Sequence, residues 1–233
     1  MTSTGRGRGG ELVDFVRVYD LVKKKTGWFH PACGDLLAGK GEKMTNDEAL
    51  TIFKESGALL EGHFRLTSGL HSPNYFQCAK VLQYPQHAET FCRLIAERFR
   101  GEGIEVVLSP AIGGIVVGQE VARLLGCRAI FAEREENRMT LRRGFEINRG
   151  EKCLAVEDVV TTGGSVQEVI ALAREAGAEV KGAAFIVDRS AGRAQFDVPF
   201  FAALRMEVVT HPPEVCPLCT QGIPVVKPGS RKV

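Results

Sequence analysis

The chain has 233 residues, 44% of them hydrophobic and 25% charged, a composition typical of one globular α/β domain with a sizeable core. No apolar run approaches the roughly 20 residues of a membrane span, the N-terminus lacks the apolar segment of a signal peptide, and seven cysteines, mostly in apolar segments, favour a reducing cytoplasm. The net charge of +2 divides into eight basic against five acidic residues over positions 1–43 and 22 against 23 over 44–233, so the near-neutral body argues against a broad nucleic-acid-binding face.

Residues 1–43 differ in composition from the rest of the chain. They are rich in glycine, hold the only tryptophan and contain one short apolar stretch, residues 12–22. From Met44 onward, N-cap candidates and early acids precede a helical pattern over residues 46–56. We interpret residues 1–43 as an N-terminal extension of little structure or a misassigned start, with an interaction tail as the alternative, and residues 44–233 as the main domain.

Short strands and turns are predicted after this helix. The segments HFRLTSG and YFQCAKVLQ, residues 63–69 and 75–83, alternate enough to form two strands. Ser68-Gly69 and Ser72-Pro73-Asn74 are the predicted turns.

The middle of the chain repeats one pattern of strand, glycine turn and helix. Residues 87–100 predict an amphipathic helix, and residues 104–125 predict a strand, a tight SPAIGG turn and a helix. In a parallel sheet such turns gather at the carboxyl edge, where ligands bind. A strand over 128–133 is followed by EREENRMTLRRGF, in which residues 134–143 predict a mobile loop, with a solvated charged connection as the alternative.

The most informative stretch is KCLAVEDVVTTGGSVQEVIALAREAG, residues 152–177. Helical spacing begins at Val166, so TTGGS, residues 161–165, lies where a strand meets a helix N-terminus. The first amides of a helix lack intrahelical acceptors and lie at the positive end of the helix dipole, so they can bind a phosphate. No lysine follows the glycines, which favours a monophosphate. Ser165 with Glu168 also fits a capping box, the structural alternative for the serine.

Charged residues are predicted at two strand ends. Glu157 and Asp158 could accept hydrogen bonds from ribose hydroxyls or bind a hard metal ion, and solvation of the strand end is the alternative. Arg189 follows a strand predicted over 180–187 and could grip a carboxylate bidentately, with a salt bridge to Asp188 as the alternative.

The C-terminal part contains a last predicted strand, residues 200–209, and a tail rich in proline and glycine. Cys216 and Cys219 in this tail form an isolated C-x-x-C pair. A structural zinc site needs four ligands, and only His211 lies nearby in the sequence. We therefore interpret the pair as inert thiols and predict no metal ligands, with a metal site as the alternative.

Three motifs carry a resemblance to a known family. VEDVVTTGGS, residues 156–165, resembles the phosphoribosyl-pyrophosphate signature of type I phosphoribosyltransferases. EGHFRLTSGLHSPNYF, residues 61–76, and IVDRSAG, residues 186–192, resemble segments of the orotate phosphoribosyltransferases within that family. The resemblance covers about residues 44–230. It implies an α/β fold with a central, mostly parallel sheet flanked by helices, and a small hood over the base site formed by about residues 57–83 and the C-terminal segment.

The resemblance also implies a reaction and its residues. Ribose 5-phosphate passes from phosphoribosyl pyrophosphate to orotate, giving orotidine 5′-monophosphate and pyrophosphate in pyrimidine synthesis, with Mg²⁺ bound mainly through the pyrophosphate and with a cytoplasmic homodimer as the assembly. The implied catalytic residues are Glu157, Asp158 and Arg134. The implied phosphoribosyl-pyrophosphate-binding residues are Arg134, Arg138, Glu157, Asp158, Val159, Val160, Thr161, Thr162, Gly163, Gly164 and Ser165. The implied orotate-binding residues are Thr161, Arg189, Tyr75 and Phe76.

The chain departs from the family pattern at three places. Thr67 stands where the family often has a lysine, and Gly113 stands where some relatives have one, in the turn implied to bind pyrophosphate. No lysine or histidine lies between Phe131 and Gly150, where relatives place both in a catalytic loop. We therefore expect that loop, which could reach a partner's site, to act through arginine charge and not through proton transfer. A purine phosphoribosyltransferase and a non-catalytic regulator that binds phosphoribosyl pyrophosphate are the alternative functions.

Overall fold

A six-stranded, mostly parallel sheet forms the centre of the structure, a computed structural model that describes residues 44–66 and 68–228. The predicted extension, residues 1–43, lies outside the described residues. The helices are α1 (Asn46–Glu55), α2 (Ala79–Leu82), α3 (Pro85–Phe99), α4 (Gly113–Leu125), α5 (Gly164–Glu175) and α6 (Pro217–Thr220). The strands are β1 (Leu59–Arg65), β2 (His71–Phe76), β3 (Val106–Pro110), β4 (Arg128–Glu135), β5 (Arg138–Leu141), β6 (Lys152–Val160), β7 (Glu179–Asp188) and β8 (Phe200–Arg205).

The strand order of the main sheet is β5-β4-β3-β6-β7-β8, and every neighbouring pair is parallel except β4 with β5. Side chains of β6 alternate between two apolar clusters, because successive residues of a strand point to opposite faces. Leu154 and Val156 pack in the cluster that contains α1, α3 and α4 residues, whereas Cys153 and Ala155 pack against α5. Both faces of the sheet are therefore covered, which explains why its strands are almost continuously apolar. This architecture confirms the predicted mostly parallel sheet flanked by helices.

The hood is a separate antiparallel pair, β1 with β2. The C-terminal segment lies along both of its strands, through a parallel bridge between Phe64 and Val226 and an antiparallel bridge between His71 and His211. The second hood strand was predicted at the wrong position, over residues 75–83. In the structure, residues 71–76 form this strand and residues 79–82 form helix α2. Pro73 therefore lies inside a strand and not in a turn. It faces the register shift between Glu61 and Phe64 and has no ladder partner there, which is a position that proline tolerates.

Segment 134–143, predicted as a mobile loop, is instead an antiparallel hairpin. Strand β5 pairs with the end of β4 from Ala132 with Leu141 to Glu135 with Arg138. The two turn residues, Glu136 and Asn137, have φ of 48° and 65°, the left-handed conformation of a two-residue hairpin turn. The loop prediction was wrong because the many charged residues around them masked Met139 and Leu141, which pack against the α5 side of the core.

The tail brings together residues that are distant in sequence. The imidazoles of His63 and His71 lie beside the thiols of Cys216 and Cys219, with the ligand atoms of all four within 4.8 Å of one another. The expectation that only His211 could join the two cysteines is therefore wrong, since the partners come from the hood strands. Within the part of the chain that the structure describes, no helix is both long enough and apolar enough to cross a membrane.

A capping box closes the N-terminus of helix α1. The Thr45 hydroxyl accepts a hydrogen bond from the Glu48 amide at 3.3 Å, and the Glu48 carboxylate accepts one from the Thr45 amide at 2.7 Å. This reciprocal capping box satisfies two otherwise unpaired amides. Ala49 and Phe53 bury the inner face of the helix in the core.

We predict that deleting residues 1–43 leaves activity nearly unchanged and shifts the melting temperature by no more than about 2 °C, because the cap and core face of α1 both lie after residue 43. Circular dichroism melting and steady-state turnover measure the two effects. Deletion of residues 1–56 is the matched control and should unfold the protein, because it removes Phe53 from the core. Aggregation of the 44–233 variant alone would contradict this boundary.

Candidate active site

The carboxyl ends of β3, β6 and β7 lie side by side in the sheet. The segments that follow these strands, the turn before α4, the TTGGS loop and the stretch from Arg189, therefore meet at one edge. Ligands of parallel α/β sheets bind at such edges, because each strand delivers its connecting loop to the same side.

The acidic pair lies within β6 and not after its end. Glu157 is buried, Asp158 is half-buried, and the strand continues to Val160. The Asp158 amide donates to Glu157 Oε1 at 3.1 Å, and the Val159 amide donates to Asp158 Oδ1 at 3.0 Å. Burial and the neighbouring carboxylate of Asp158 raise the pKa of Glu157 well above its ordinary value of 4.5. Solvation of a strand end, the structural alternative, therefore does not describe Glu157.

Two glycines at the start of α4 make room for this acidic pair. A Cβ on Gly113 would lie 2.7 Å from Asp158 Cγ, and a Cβ on Gly114 would lie 3.0 Å from Glu157 Oε1. Neither position can carry a side chain unless the acids move. The turn after β3 and the acids of β6 thus form one contact, and the lysine that some relatives have at position 113 would have to displace Asp158.

The TTGGS loop leaves the N-terminus of α5 free for a ligand. Gly163 is the N-cap residue, with φ of 85°, and no side chain caps the helix. The capping box between Ser165 and Glu168, the structural alternative for this serine, does not form, because the helix begins one residue before Ser165. Its first amides thus keep their capacity to bind an anion. The loop and the end of β6 line a small cavity of about 50 Å³.

Gly163 is required by packing as well as by conformation. A Cβ at this position would lie 3.0 Å from the Phe196 ring and 3.2 Å from Ala194 Cβ. Thr161 and Thr162 on the same loop are exposed. The loop therefore presents backbone and hydroxyl groups outward and packs its glycine inward.

A larger cavity of about 760 Å³ lies between the hood and this edge of the sheet. Its lining residues come from the hood (Leu66, Ser68, Leu70, Tyr75, Phe76), the sheet edge (Thr161, Thr162, Arg189, Arg193) and the tail (Val208, Thr210). All four residues implied to bind orotate line this one cavity. Because Thr161 and Thr162 also line the small cavity, the two spaces adjoin.

Arg189 is the cation of the larger cavity. Its guanidinium lies over the Phe76 ring, 5.3 Å from the centroid, and its buried Nε has no hydrogen-bond partner among the described residues. Burial lowers the pKa of Arg189. Within the described chain, Asp188 forms no ion pair with Arg189 and instead accepts from the Ser190 amide at 2.8 Å. A buried donor without a partner is costly, so this arginine is suited to receive an anionic ligand.

Phe76 and Tyr75 lie in different environments. Phe76 is only 6% exposed and packs edge to face on Phe53 at 6.3 Å, so it belongs to the core as well as to the cavity wall. Tyr75 is half-buried, leans on the Phe64 ring at 5.8 Å and donates its hydroxyl to Gln77 at 3.3 Å. Both rings are therefore held in place before any ligand binds.

The hairpin arginines do not line either cavity. Arg134 donates to the Asn137 carbonyl at 2.7 Å and forms a salt bridge with Glu168 of α5 at 2.9 Å. Arg138 is exposed at the first residue of β5, and Arg143 pairs with Glu133 at 2.8 Å. The structure therefore brings the acidic pair, the TTGGS loop and Arg189 together and leaves Arg134 and Arg138 at the hairpin.

Sequence reasoning missed part of the larger cavity. Arg193 follows Arg189 by four residues and donates to the Ser190 carbonyl at 3.0 Å, and a second arginine so close to the first was the available signal. Val208 and Thr210 gave no signal, because they reach the cavity only through the pairing of the tail with the hood.

Comparisons with known proteins agree with this architecture. The profile of the phosphoribosyl transferase domain family matches residues 79–207. The orotate phosphoribosyltransferase of Pelotomaculum thermopropionicum is 59% identical over 190 residues, which are 82% of this chain and 100% of that protein.

Two solved structures share the fold. The orotate phosphoribosyltransferase of Aeropyrum pernix has a TM-score of 0.59 and 24% identity, with 67% of this chain and 92% of that chain covered. The adenine phosphoribosyltransferase of Rhodothermus marinus has a TM-score of 0.54 and 21% identity, with 69% and 100% covered. At such low identity these matches concern the fold alone, and they confirm the predicted fold class.

We predict that Glu157→Gln stabilises the protein at alkaline pH. The pKa of Glu157 is 4.5 in the unfolded chain and is raised in the folded chain. Between these two pKa values the folded chain keeps a proton that the unfolded chain releases, so the stability of the wild type falls as pH rises through this range. Glutamine cannot ionise, and the variant should gain about 1 to 2 kcal/mol at about pH 8 and almost nothing near pH 4.5.

Denaturant unfolding at a series of pH values measures this difference. Glu61→Gln, which removes an exposed carboxyl of β1, is the matched control and should show no such trend. A difference between wild type and Glu157→Gln that does not grow with pH would contradict the prediction.

Proposed function

The chain belongs to the orotate phosphoribosyltransferase family, and we propose that its sheet-edge site transfers ribose 5-phosphate from phosphoribosyl pyrophosphate to orotate. The products are orotidine 5′-monophosphate and pyrophosphate, so the protein is a pentosyltransferase of pyrimidine synthesis. One observation carries this proposal: the large cavity, with an arginine whose buried Nε has no partner among the described residues, adjoins the small cavity at the N-terminus of α5, which has no side-chain cap. A base with a carboxylate fits the first space and a 5′-phosphate fits the second.

Orotate binds in the large cavity. Its carboxylate takes the hydrogen bonds that Arg189 lacks, since guanidinium and carboxylate pair bidentately. Phe76 and Tyr75 pack on the ring of the base, and Thr161 contributes its exposed hydroxyl from the loop shared by both cavities. This arrangement selects a planar anion over a neutral base.

The 5′-phosphate binds at the TTGGS loop. Thr161, Thr162 and Ser165 supply hydroxyls, and Gly163 and Gly164 supply close access to the backbone amides of α5. The backbones of Val159 and Val160 line the same small cavity. Binding energy at a group that does not react fixes the anomeric carbon beneath the base, which lowers the entropic part of the barrier.

The acidic pair holds the ribose. The raised pKa of Glu157 keeps its carboxyl protonated near neutral pH, so Glu157 donates a hydrogen bond to a ribose hydroxyl while Asp158 accepts one. As the bond to pyrophosphate breaks, positive charge develops on the sugar, and the negative charge of Asp158 stabilises it. Both carboxyls are therefore catalytic residues in this proposal.

The donor set at this edge fits a magnesium ion carried in by the substrate. Asp158 offers a half-buried carboxylate, and hard oxygen donors of this kind bind Mg²⁺ together with substrate phosphates. When bound, Mg²⁺ supplies charge neutralisation for the leaving pyrophosphate. The backbone amides of residues 112–114, next to Asp158, complete the pyrophosphate side of the site.

The hairpin supplies the remaining positive charge. The salt bridge between Arg134 and Glu168 joins side chains that are 42% and 41% exposed, and an exposed pair of this kind contributes little stability. Arg134 therefore exchanges Glu168 for pyrophosphate at small cost, and Arg138 at the turn of the hairpin joins it. We place the hairpin of one subunit over the site of its partner in a homodimer. The free cysteines of the described chain support a reducing, cytoplasmic location.

We predict that the purified protein consumes orotate in the presence of phosphoribosyl pyrophosphate and Mg²⁺, and that uracil and adenine react far more slowly. Arg189→Leu should lower kcat/KM for orotate about a hundredfold, because it removes charged hydrogen bonds to the carboxylate. The release of pyrophosphate, measured in parallel reactions with each base, reports both effects.

Arg205→Leu is the matched control for this assay, because Arg205 is an exposed arginine at the end of β8 that does not line the cavity. Its kcat/KM should equal that of the wild type. Faster turnover of adenine than of orotate, or an equal loss for orotate and uracil in Arg189→Leu, would contradict the assignment of the base site.

We predict that two inactive variants complement each other when mixed. Asp158→Asn should lower kcat about a hundredfold, and Arg134→Ala should lower it about tenfold to a hundredfold. If hairpins are shared, half of the randomly mixed dimers have one intact site, and the mixture should regain about a quarter of the wild-type rate.

Unfolding and refolding the two proteins together provides the mixture, and native mass spectrometry verifies the mixed dimers. Glu168→Gln is the control for the salt bridge and should retain full activity, because it only frees Arg134. Verified mixed dimers without recovered activity would show that each hairpin serves its own chain.

A further inference from the structure

Two histidines and two cysteines, residues of the kinds that bind metal ions, form a cluster at the hood. They are separate from the residues that line the substrate cavities. His63 on β1 and His71 on β2 face Cys216 and Cys219 at the start of α6. His63, His71 and Cys216 are buried, and only Cys219 is exposed. We propose that these four residues bind one structural zinc ion.

The distances within the cluster approach those of a tetrahedral site. Zinc bonds of about 2.0 Å to nitrogen and 2.3 Å to sulfur, at tetrahedral angles, place N and S about 3.5 Å apart and two N atoms about 3.3 Å apart. His63 Nε2 lies 3.6 Å from Cys216 Sγ and 3.7 Å from Cys219 Sγ, and His71 Nδ1 lies 3.3 Å from Cys219 Sγ. The two imidazole nitrogens are 2.8 Å apart, so a bound ion requires them to separate by only about 0.5 Å.

The second nitrogen of one imidazole is already fixed. His63 Nδ1 lies 2.7 Å from the carbonyl oxygen of Ile223, and only a protonated Nδ1 can donate this hydrogen bond. Nε2 of His63 therefore carries the lone pair, and it is the atom that faces the cluster. Metal-binding histidines commonly have such a carbonyl partner, which orients the ring and selects the tautomer.

The donor set selects zinc among the common divalent ions. Two thiolates and two imidazoles suit Zn²⁺, whereas Mg²⁺ and Ca²⁺ require oxygen ligands. The protein fills all four positions, so no coordination site remains for water or substrate. The ion is therefore structural and takes no part in the transfer reaction.

The site joins segments that form the substrate cavity. The two histidines belong to the hood hairpin, and the two cysteines follow the tail residues Val208 and Thr210, which line the large cavity together with hood residues. Backbone bonds beside the cluster, between His71 and His211 and between Arg65 and Val226, hold the same two segments together. Zinc would fasten the tail to the hood and so hold the wall of the cavity in shape.

The test measures metal in the full chain. We expect protein that is produced with zinc and purified under reducing conditions to contain about one zinc ion per chain, as measured by inductively coupled plasma mass spectrometry. Cys219→Ser should retain less than about a tenth of that content, because a thiolate ligand is lost. Cys127→Ser is the matched control and should retain all of it, since Cys127 is a free, partly exposed thiol outside the cluster.

A second measurement does not depend on the folding of a variant. Wild-type protein exchanged with Co²⁺ should show the intense visible bands of tetrahedral cobalt and a thiolate-to-cobalt charge-transfer band in the ultraviolet. Wild-type protein with less than about a tenth of an equivalent of zinc, or equal zinc in Cys219→Ser and Cys127→Ser, would overturn the proposal. Cobalt spectra without the thiolate band would overturn it as well. Neither measurement uses a substrate, so the result is independent of the proposed reaction.

Discussion

The contact between the glycine turn of α4 and the carboxyls of β6 is the constraint on which the site depends. Gly113 and Gly114 lie so close to Asp158 and Glu157 that a Cβ on either glycine would require the carboxyl group to move. This approach is possible because β3 and β6 are neighbours in the sheet and deliver their ends to one edge. The same contact buries Glu157 beside a second carboxyl, so packing and electrostatics at this point have one cause.

Several groups at the sheet edge are left unsatisfied by the protein itself. Arg189 Nε is buried without a partner among the described residues, the N-terminus of α5 has no side-chain cap, and burial beside Asp158 raises the pKa of Glu157. Each costs stability in the free protein. In the proposed reaction, substrates with a carboxylate, a phosphate and two ribose hydroxyls would supply the missing partners, so that their binding would recover free energy that folding left unused.

The local parts of this structure were predictable from sequence, whereas contacts made across long sequence separations were not. The strand, turn and helix of residues 152–177 follow from periodicity and glycine placement, and two of the three catalytic candidates, Glu157 and Asp158, lie inside that segment. The cluster of His63 with Cys216 escaped prediction because no spacing rule connects residues so far apart. The hairpin of β4 and β5 was missed for a different reason, since its many charged residues concealed the few apolar ones.

The position of the tail has a consequence for the order in which the site is assembled during synthesis. A chain that has emerged only as far as β8 contains every strand of the main sheet and the complete TTGGS loop. It lacks Val208 and Thr210 in the cavity wall, and it lacks the pairing of His211 and Val226 with the hood. The walls of the small cavity are therefore synthesised before the tail residues that complete the large cavity, so the space proposed for the base is closed after the space proposed for the 5′-phosphate.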